Sequence, residues 1–250
     1  MKVVFDKTPV VTDHHFQFCP GCTHGITIRL IGEVLEQMGL ANRAVGLVGD
    51  GCMSWSLQYL NIDYALVLYG RGAAVGTGLK RVNPGTIVYA LEGDGDLGSG
   101  VVELLHAASY GEPITMLFVN NTTMGMTHGQ MAATSLPGQV TTTTPGGRDV
   151  RRDGYPMDFS SLVAQQGGVS YLARASLHDA KHIAQAKTYL KRAFEAQLEG
   201  RGFSMVEFLS ACPTNWKMQP VDAARRVAEE MIPAYPIGEL VGGRTAREEE

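Results

Sequence analysis

The chain has no positive charge to spare. Lys and Arg number 21 against 25 Asp and Glu, a formal net charge of -4. That balance excludes the basic surface with which proteins neutralise nucleic-acid phosphates or anionic lipid. No apolar run approaches the ~20 residues of a membrane-spanning helix. Residues 1–18 carry acidic and paired-histidine character (His14 and His15) and lack an apolar signal core, so they read as retained and the chain as cytoplasmic. There is no low-complexity tract and no internal repeat. Cysteine is scarce as well, four in 250 residues. In a cytosolic chain of this size such cysteines read as metal-binding or catalytic before they read as disulfides.

Glycine, by contrast, is plentiful at 30 residues, and with no tract to account for it these glycines are expected in turns and close backbone approaches. The apolar content of 44% suffices for one core. A single domain over residues 1–232 is expected, followed by an exposed C-terminal arm, 233–250, ending in three glutamates.

Strand and helix patterns alternate along the chain. Residues 24–40 carry a helical stripe at Ile28, Ile31, Leu35 and Met38. Residues 44–48 form a short apolar strand that ends in Gly49-Asp50-Gly51, and 64–69 form a second apolar run. Small residues over 72–82 predict a buried helix, and 86–91 a strand that delivers Gly93-Asp94-Gly95-Asp96. A helix over 99–110 and a strand over 114–119 follow, the strand delivering Asn120-Asn121. Residues 122–153 read as a long Thr/Gly/Pro-rich loop, of a length that is usually functional or disordered. A helix near Phe159, a strand over 169–175, a long helix over 179–199 and a strand over 203–209 complete the series. Such alternation predicts an α/β fold, a mostly parallel sheet with helices on both faces. Ligands bind such sheets at the carboxyl ends of strands, where Asp50, Asp94 and Asn121 all fall.

A Gly-Asp-Gly turn between strand and helix, followed one helix and one strand later by Asn-Asn, has the spacing of a thiamine diphosphate site. The diphosphate needs a divalent cation, and Mg2+ takes hard oxygen ligands. Asp94 would supply a carboxylate, Asn121 a side-chain carbonyl and Thr123 a backbone carbonyl. Gly93 and Gly95 would let the backbone come close, and the amides of Gly95 and Asp96 at the next helix start would face the anion. Alternatively the turn is merely tight and its aspartates solvated; Gly49-Asp50-Gly51 shows that the tripeptide alone is weak.

Cys19 and Cys22 form a C-P-G-C turn, Cys52 follows Gly51, and Cys212 opens C-P-T. Four thiolates suit a 4Fe–4S cube. Structural zinc is the rival, although zinc ribbons use two C-x-x-C knuckles where this chain has one; inert buried thiols are a third reading. Among other residues, His24 would touch cofactor or cap its helix. His128 and Met124, Met126 and Met131 lie in the long loop. His106, His178 and His182 read as structural or surface histidines, and Lys80-Arg81 as a surface pair.

Several stretches together resemble one known family: F-C-P-G-C-x-H-G, G-R-x-x-A-V-x-T-G-x-K-R-x-N-P, G-D-G-D-L, F-V-N-N-x-x-x-G-M-T-x-G-Q-M-A, T-T-T-T-P-x-G-R-D and S-x-C-P-T-N-W. They are similar to the thiamine-binding beta subunit of 2-oxoacid:ferredoxin oxidoreductases, nearest the short subunits acting on 2-oxoisovalerate or 2-oxoglutarate, and the match runs from about Phe18 to Pro236. The resemblance implies that Cys19, Cys22, Cys52 and Cys212 hold a 4Fe–4S cluster and that Asp94, Asn121 and Thr123 hold Mg2+. It implies that Gly51, Cys52, Gly95, Asp96 and Thr127 contact thiamine diphosphate. The implied reaction is coenzyme A-dependent oxidative decarboxylation of a 2-oxoacid, with electrons passed to ferredoxin. The glutamate that activates the cofactor is not identifiable here; the resemblance puts it on a partner alpha subunit. It further implies a gamma subunit and a ferredoxin-like subunit. A thiamine-dependent decarboxylase or transketolase-like subunit without a cluster, and an electron-transfer subunit without thiamine function, are the alternatives. The chain departs from the family at Tyr69 (usually His), Met124 (usually Tyr), His128 (usually Gly) and Gly146 (commonly aromatic). These positions bear on substrate choice, since the expected cofactor ligands are intact.

Overall fold

The computed structural model describes residues 7–242. Seven strands of the described residues form one sheet. In chain order, α1 (His24–Gln37) leads to β1 (Ala44–Val48) and β2 (Asp63–Leu66), then α2 (Gly72–Val82) and β3 (Ile87–Gly93). The turn after β3 opens α3 (Asp94–Ser99), followed by α4 (Val101–Tyr110) and β4 (Thr115–Asn120). A small hairpin, β5 (Thr123–Met124) with β6 (Gln130–Met131), precedes α5 (Val150–Asp153), α6 (Phe159–Ala164), β7 (Val169–Ser176), α7 (Ala180–Leu198) and β8 (Phe203–Leu209). Then come α8 (Pro213–Trp216), α9 (Pro220–Arg226), a π-helical turn over Val227–Met231, α10 (Ile232–Ala234) and β9 (Gly238–Val241). The large sheet runs in the order β2-β1-β3-β4-β8-β7-β9, and all its pairings are parallel except β7 with β9, while β5 and β6 pair antiparallel apart from it.

The parallel strands are apolar on both sides because both faces are covered. Ile87, Tyr89 and Leu91 of β3 pack with α1 and α7 residues such as Ile31, Leu35, Leu190 and Phe194. The alternate residues Val88 and Ala90 pack with Ala73 of α2, Leu104 and Ala107 of α4 and Val163 of α6. A buried glutamine pins the sheet to α7: the Gln197 Nε2 donates to the Val88 carbonyl (2.8 Å) and Thr115 Oγ1 (2.7 Å), and its Oε1 accepts from the Val88 amide (2.7 Å).

From β1 the chain moves outward to β2, and from β3 it moves the other way to β4. The gap between the ends of β1 and β3 is thus a topological switch point, where such sheets bind ligands. Asp50 follows β1, Asp94 follows β3 and Asn121 follows β4.

Three expectations are corrected. The stretch after Pro233 is not an exposed arm as far as residue 242: Tyr235 is buried and β9 adds an antiparallel strand to β7. The arm's final residues, 243–250, lie outside the described ones. Lys80 is buried rather than a surface residue, its ammonium donating to the carbonyls of Pro84 (2.9 Å) and Thr86 (2.6 Å), while Arg81 is exposed and pairs with Glu112. The long loop 122–153 is not without structure. Buried Arg148 gathers it by donating to the carbonyls of Ala133, Ser135, Gly154 and Tyr155.

Candidate active site

A cavity of about 440 Å3 opens at the switch point. Its wall includes Asp50, Gly51 and Cys52 from the end of β1, Gly93 to Asp96 from the end of β3, and Asn121, Thr123 and Thr127 from beyond β4. The expected cofactor residues therefore share one wall.

Asp94 is its most constrained acid. It is 3% exposed, and burial pushes its carboxyl up to about 7 against hydrogen bonds that favour the anion. Those bonds come from Thr134 Oγ1 and the Asn121 amide (2.9 Å). Asn121 folds its own Oδ1 back to the Thr123 amide (3.2 Å), an Asx turn that aims the side chain along the wall. Between them Thr122 takes φ of 55°, a left-handed conformation costly for a branched residue. Its carbonyl is held by Ser135 Oγ (2.6 Å) and Gln139 Nε2 (2.7 Å). Asn120, the other half of the pair, faces the core instead, donating to Glu207 (2.7 Å) and accepting from the Thr122 amide (3.1 Å).

Asp96 organises the turn with its side chain. Its carboxylate accepts from the amides of Gly93 (3.2 Å) and Gly70 (3.3 Å), and burial pushes its carboxyl up to about 6. The amides of Gly95 and Asp96 lie in the first turn of α3, where a helix leaves N–H groups without internal partners. Gly95 is required for a reason invisible in the motif: a Cβ there would sit 1.5 Å from the Tyr69 hydroxyl. Tyr69 thus roofs the turn, and burial together with Asp96, Asp94 and Asp50 pushes its phenol up to about 12. Gly51 has φ of 91°, and no atom lies within 4 Å of where its Cβ would be. Thr127 is exposed on the rim, its hydroxyl on Gln130 Oε1. Exposed His128, by contrast, is not on the wall.

Among the described residues the wall carries three carboxylates, Asp50, Asp94 and Asp96, and neither lysine nor arginine. Its one histidine, His24, is pushed down to about 4 by burial and so stays neutral. Such a surface repels a diphosphate unless a divalent cation stands between them. Asp94, Asn121 and the Thr123 carbonyl are the hard oxygens that Mg2+ takes, so these residues fit both groups. Glutamate is absent from the wall among the described residues.

The four cysteines meet beside this cavity. None is in a disulfide. The Cys22 thiol is raised to about 12 by burial, with Cys212, Cys52 and Cys19 adding to the effect, and Cys52 to about 11 by burial, then Cys212 and Cys19. Burial raises Cys212 as well. Among the described residues no lysine or arginine offsets these shifts, so a bound cationic metal centre is what would hold them as thiolates. A single tetrahedral zinc, with Zn–S of ~2.3 Å, draws its sulfurs to ~3.8 Å of one another. Four thiolates are equally the donor set of a 4Fe–4S cluster. Gly21 shapes the first knuckle, with φ of 77° and its Cβ position 2.5 Å from Pro220. Thr23 Oγ1 bonds Ser210 Oγ (2.6 Å) and accepts from the Ala211 amide (3.3 Å), tying this knuckle to the Cys212 turn. Cys212 accepts from Asn215 Nδ2 (3.3 Å), which also donates to the Gly125 carbonyl (3.0 Å). His24 Nδ1 lies 3.0 Å from Cys22 Sγ while its ring reaches the cavity wall. Cys52 belongs to both sites. His24, whose role the sequence does not decide, thus touches both sites, while Asn215 and Thr134 reach the site from other elements with no motif to announce them.

Residues 49–208 match the family of thiamine pyrophosphate enzymes at its C-terminal TPP binding domain. The chain is 43% identical to the ketoisovalerate oxidoreductase subunit VorA of Methanothermobacter marburgensis, over 88% of this chain and 46% of that protein. It is 35% identical to the 2-oxoglutarate synthase subunit KorB of the same organism, over 92% of this chain and 82% of that protein. The chain thus spans about half the length of the VorA relatives and most of the KorB one. Its fold is similar to that of a solved 2-oxoglutarate:ferredoxin oxidoreductase from Magnetococcus marinus, with a TM-score of 0.80 and 24% identity over 97% of this chain and 87% of that one. On the thiamine-domain match and the relatedness to KorB, the chain belongs to the family of thiamine pyrophosphate-binding subunits of the 2-oxoacid:ferredoxin oxidoreductases.

Proposed function

We propose that this chain is the thiamine diphosphate-binding subunit of an enzyme that oxidatively decarboxylates a 2-oxoacid to an acyl-CoA and CO2. The observation that carries the reading is Cys52, which lies on the cavity wall and among the four thiols at once. When bound, thiamine diphosphate supplies an electron sink for decarboxylation and a 4Fe–4S cluster a one-electron outlet towards ferredoxin.

Each residue then has a task. Asp94, Asn121 and Thr123 would hold Mg2+, and Gly51, Gly93, Gly95, Asp96 and Thr127 would seat the diphosphate and its neighbours. Cys19, Cys22, Cys52 and Cys212 would ligate the cluster. His24, neutral and beside Cys22, would shield the space between the two groups from bulk water. Tyr69, Met124 and Met126 would border the substrate; Tyr69 and Met124 crowd the Gly95 turn. The relatives' names favour 2-oxoisovalerate or 2-oxoglutarate as substrate. With no glutamate among the described residues of the wall, the activating glutamate is proposed to lie on a partner, and the chain to work with an alpha subunit, a gamma subunit and a ferredoxin-like subunit.

Metal and cofactor analysis of the anaerobically purified complex tests the assignment. Iron and sulfide near four each per chain, with stoichiometric thiamine diphosphate and Mg2+, are expected. Zinc in place of iron, or thiamine without iron, would instead indicate a subunit with no redox outlet.

A further inference from the structure

At the carboxyl end of β7, outside the cavity wall, three side chains of metal-ligating type meet. His178 Nε2 lies 3.2 Å from Asp179 Oδ2, and His182 Nδ1 lies 2.7 Å from Asp179 Oδ1. One carboxylate therefore faces two imidazoles whose ring centroids are 4.4 Å apart. One ligand atom from each of the three lies within 4.8 Å of the others, and no other trio of His, Cys, Asp or Glu among the described residues does this. The remaining nitrogen of His178 is engaged too: Nδ1 lies 2.7 Å from the hydroxyl of buried Ser176. With Nδ1–H donating to that hydroxyl, Nε2 carries the lone pair for the shared point, the arrangement by which an outer partner orients a metal-bound histidine.

Capping alone does not account for this cluster. Asp179 is the N-cap of α7, its Oδ1 accepting from the His182 amide at 2.8 Å. A cap needs one acceptor oxygen and no imidazole. His178 precedes the cap, yet turns its ring onto the second oxygen of the same carboxylate.

We propose that His178, Asp179 and His182 form a site for a divalent transition metal of the zinc class. Two imidazole nitrogens and one carboxylate oxygen suit Zn2+, Co2+ or Ni2+, whereas Mg2+ and Ca2+ take oxygen ligands. Three protein ligands leave a fourth position for solvent, and half-exposed Asp179 gives the ion access. The metal clamps the β7–α7 junction, joining His178 outside the helix to His182 in its first turn.

Cobalt(II) titration of the metal-stripped full chain under anaerobic conditions tests this. Cobalt held by nitrogen and oxygen absorbs in the visible without the intense near-ultraviolet charge-transfer band of thiolate-bound cobalt, so a difference spectrum between wild type and His182→Gln isolates the site from the cysteines. A nitrogen–oxygen cobalt band is expected in that difference, absent also from His178→Gln and with affinity weakened about 10–100-fold in Ser176→Ala. Zinc should raise the thermal midpoint of the wild type more than that of His182→Gln, with the metal-free midpoints alike. A difference spectrum without a cobalt band, or one that persists in His178→Gln, overturns the proposal.

Discussion

Asp94 carries the largest burden of any single residue. Its carboxylate is buried, with only hydroxyl and amide donors to satisfy it, and a cation would complete its environment. Asp94→Asn keeps the shape and removes the charge; affinity for thiamine diphosphate with Mg2+ should fall at least about tenfold, ~1.4 kcal/mol, by calorimetry. Gly21 is a second sensitive position. A Cβ there meets Pro220 at a left-handed φ, so Gly21→Ala should cost ~1–3 kcal/mol locally and lower iron content after reconstitution. Asp94, Asn121 and the cysteines were legible because their chemistry is concentrated in short motifs at strand ends. Thr134, Asn215 and the Tyr69–Gly95 contact were not, since each joins residues far apart in sequence, and no local pattern encodes that approach.

Among the elements, β7 and β8 are joined by a charge network that also steadies the site. Arg174 and Glu207 are each about 1% exposed; Arg174 Nε bonds Glu207 at 2.6 Å, and its guanidinium also pairs with Asp158. Glu207 in turn receives Asn120, next to the candidate metal ligand Asn121. Arg174→Met strands a buried carboxylate and should destabilise by ~3–5 kcal/mol in chemical denaturation. A second ion pair joins α1 to α7, Glu33 with Lys187 at 2.7 Å. Partial burial opposes ionisation of Glu33, but hydrogen bonds from Lys187 and Arg29 outweigh it and hold the carboxyl below its ordinary 4.5. The folded state therefore binds fewer protons in that window, so the pair stabilises above about pH 4.5 and the gain is lost as pH falls through the folded value. Glu33→Gln should cost about 0.5–1 kcal/mol near neutral pH, and its melting curve should converge on the wild type in acid. The bounds of β1, α2 and β8 follow directly from apolar or small-residue runs. The 3₁₀ turn at Cys52–Gln58, the β5–β6 hairpin and β9 are less legible. The hairpin strands are two residues each, and β9, with every residue only partly buried, carries no alternating pattern.

Across the whole molecule, the switch point of the sheet places an acidic cavity against four converging thiols, with Cys52 common to both. In the proposed function this juxtaposition would couple decarboxylation to one-electron transfer. It is tested most directly by anaerobic dye reduction with the co-purified complex, supplied with thiamine diphosphate, Mg2+ and coenzyme A and offered 2-oxoisovalerate, 2-oxoglutarate, pyruvate and an aryl 2-oxoacid in turn. Coenzyme A-dependent reduction with one of them, abolished by Cys52→Ala while thiamine diphosphate stays bound, is the predicted result. Decarboxylation without dye reduction, or dye reduction that survives Cys52→Ala at full rate, would contradict the account.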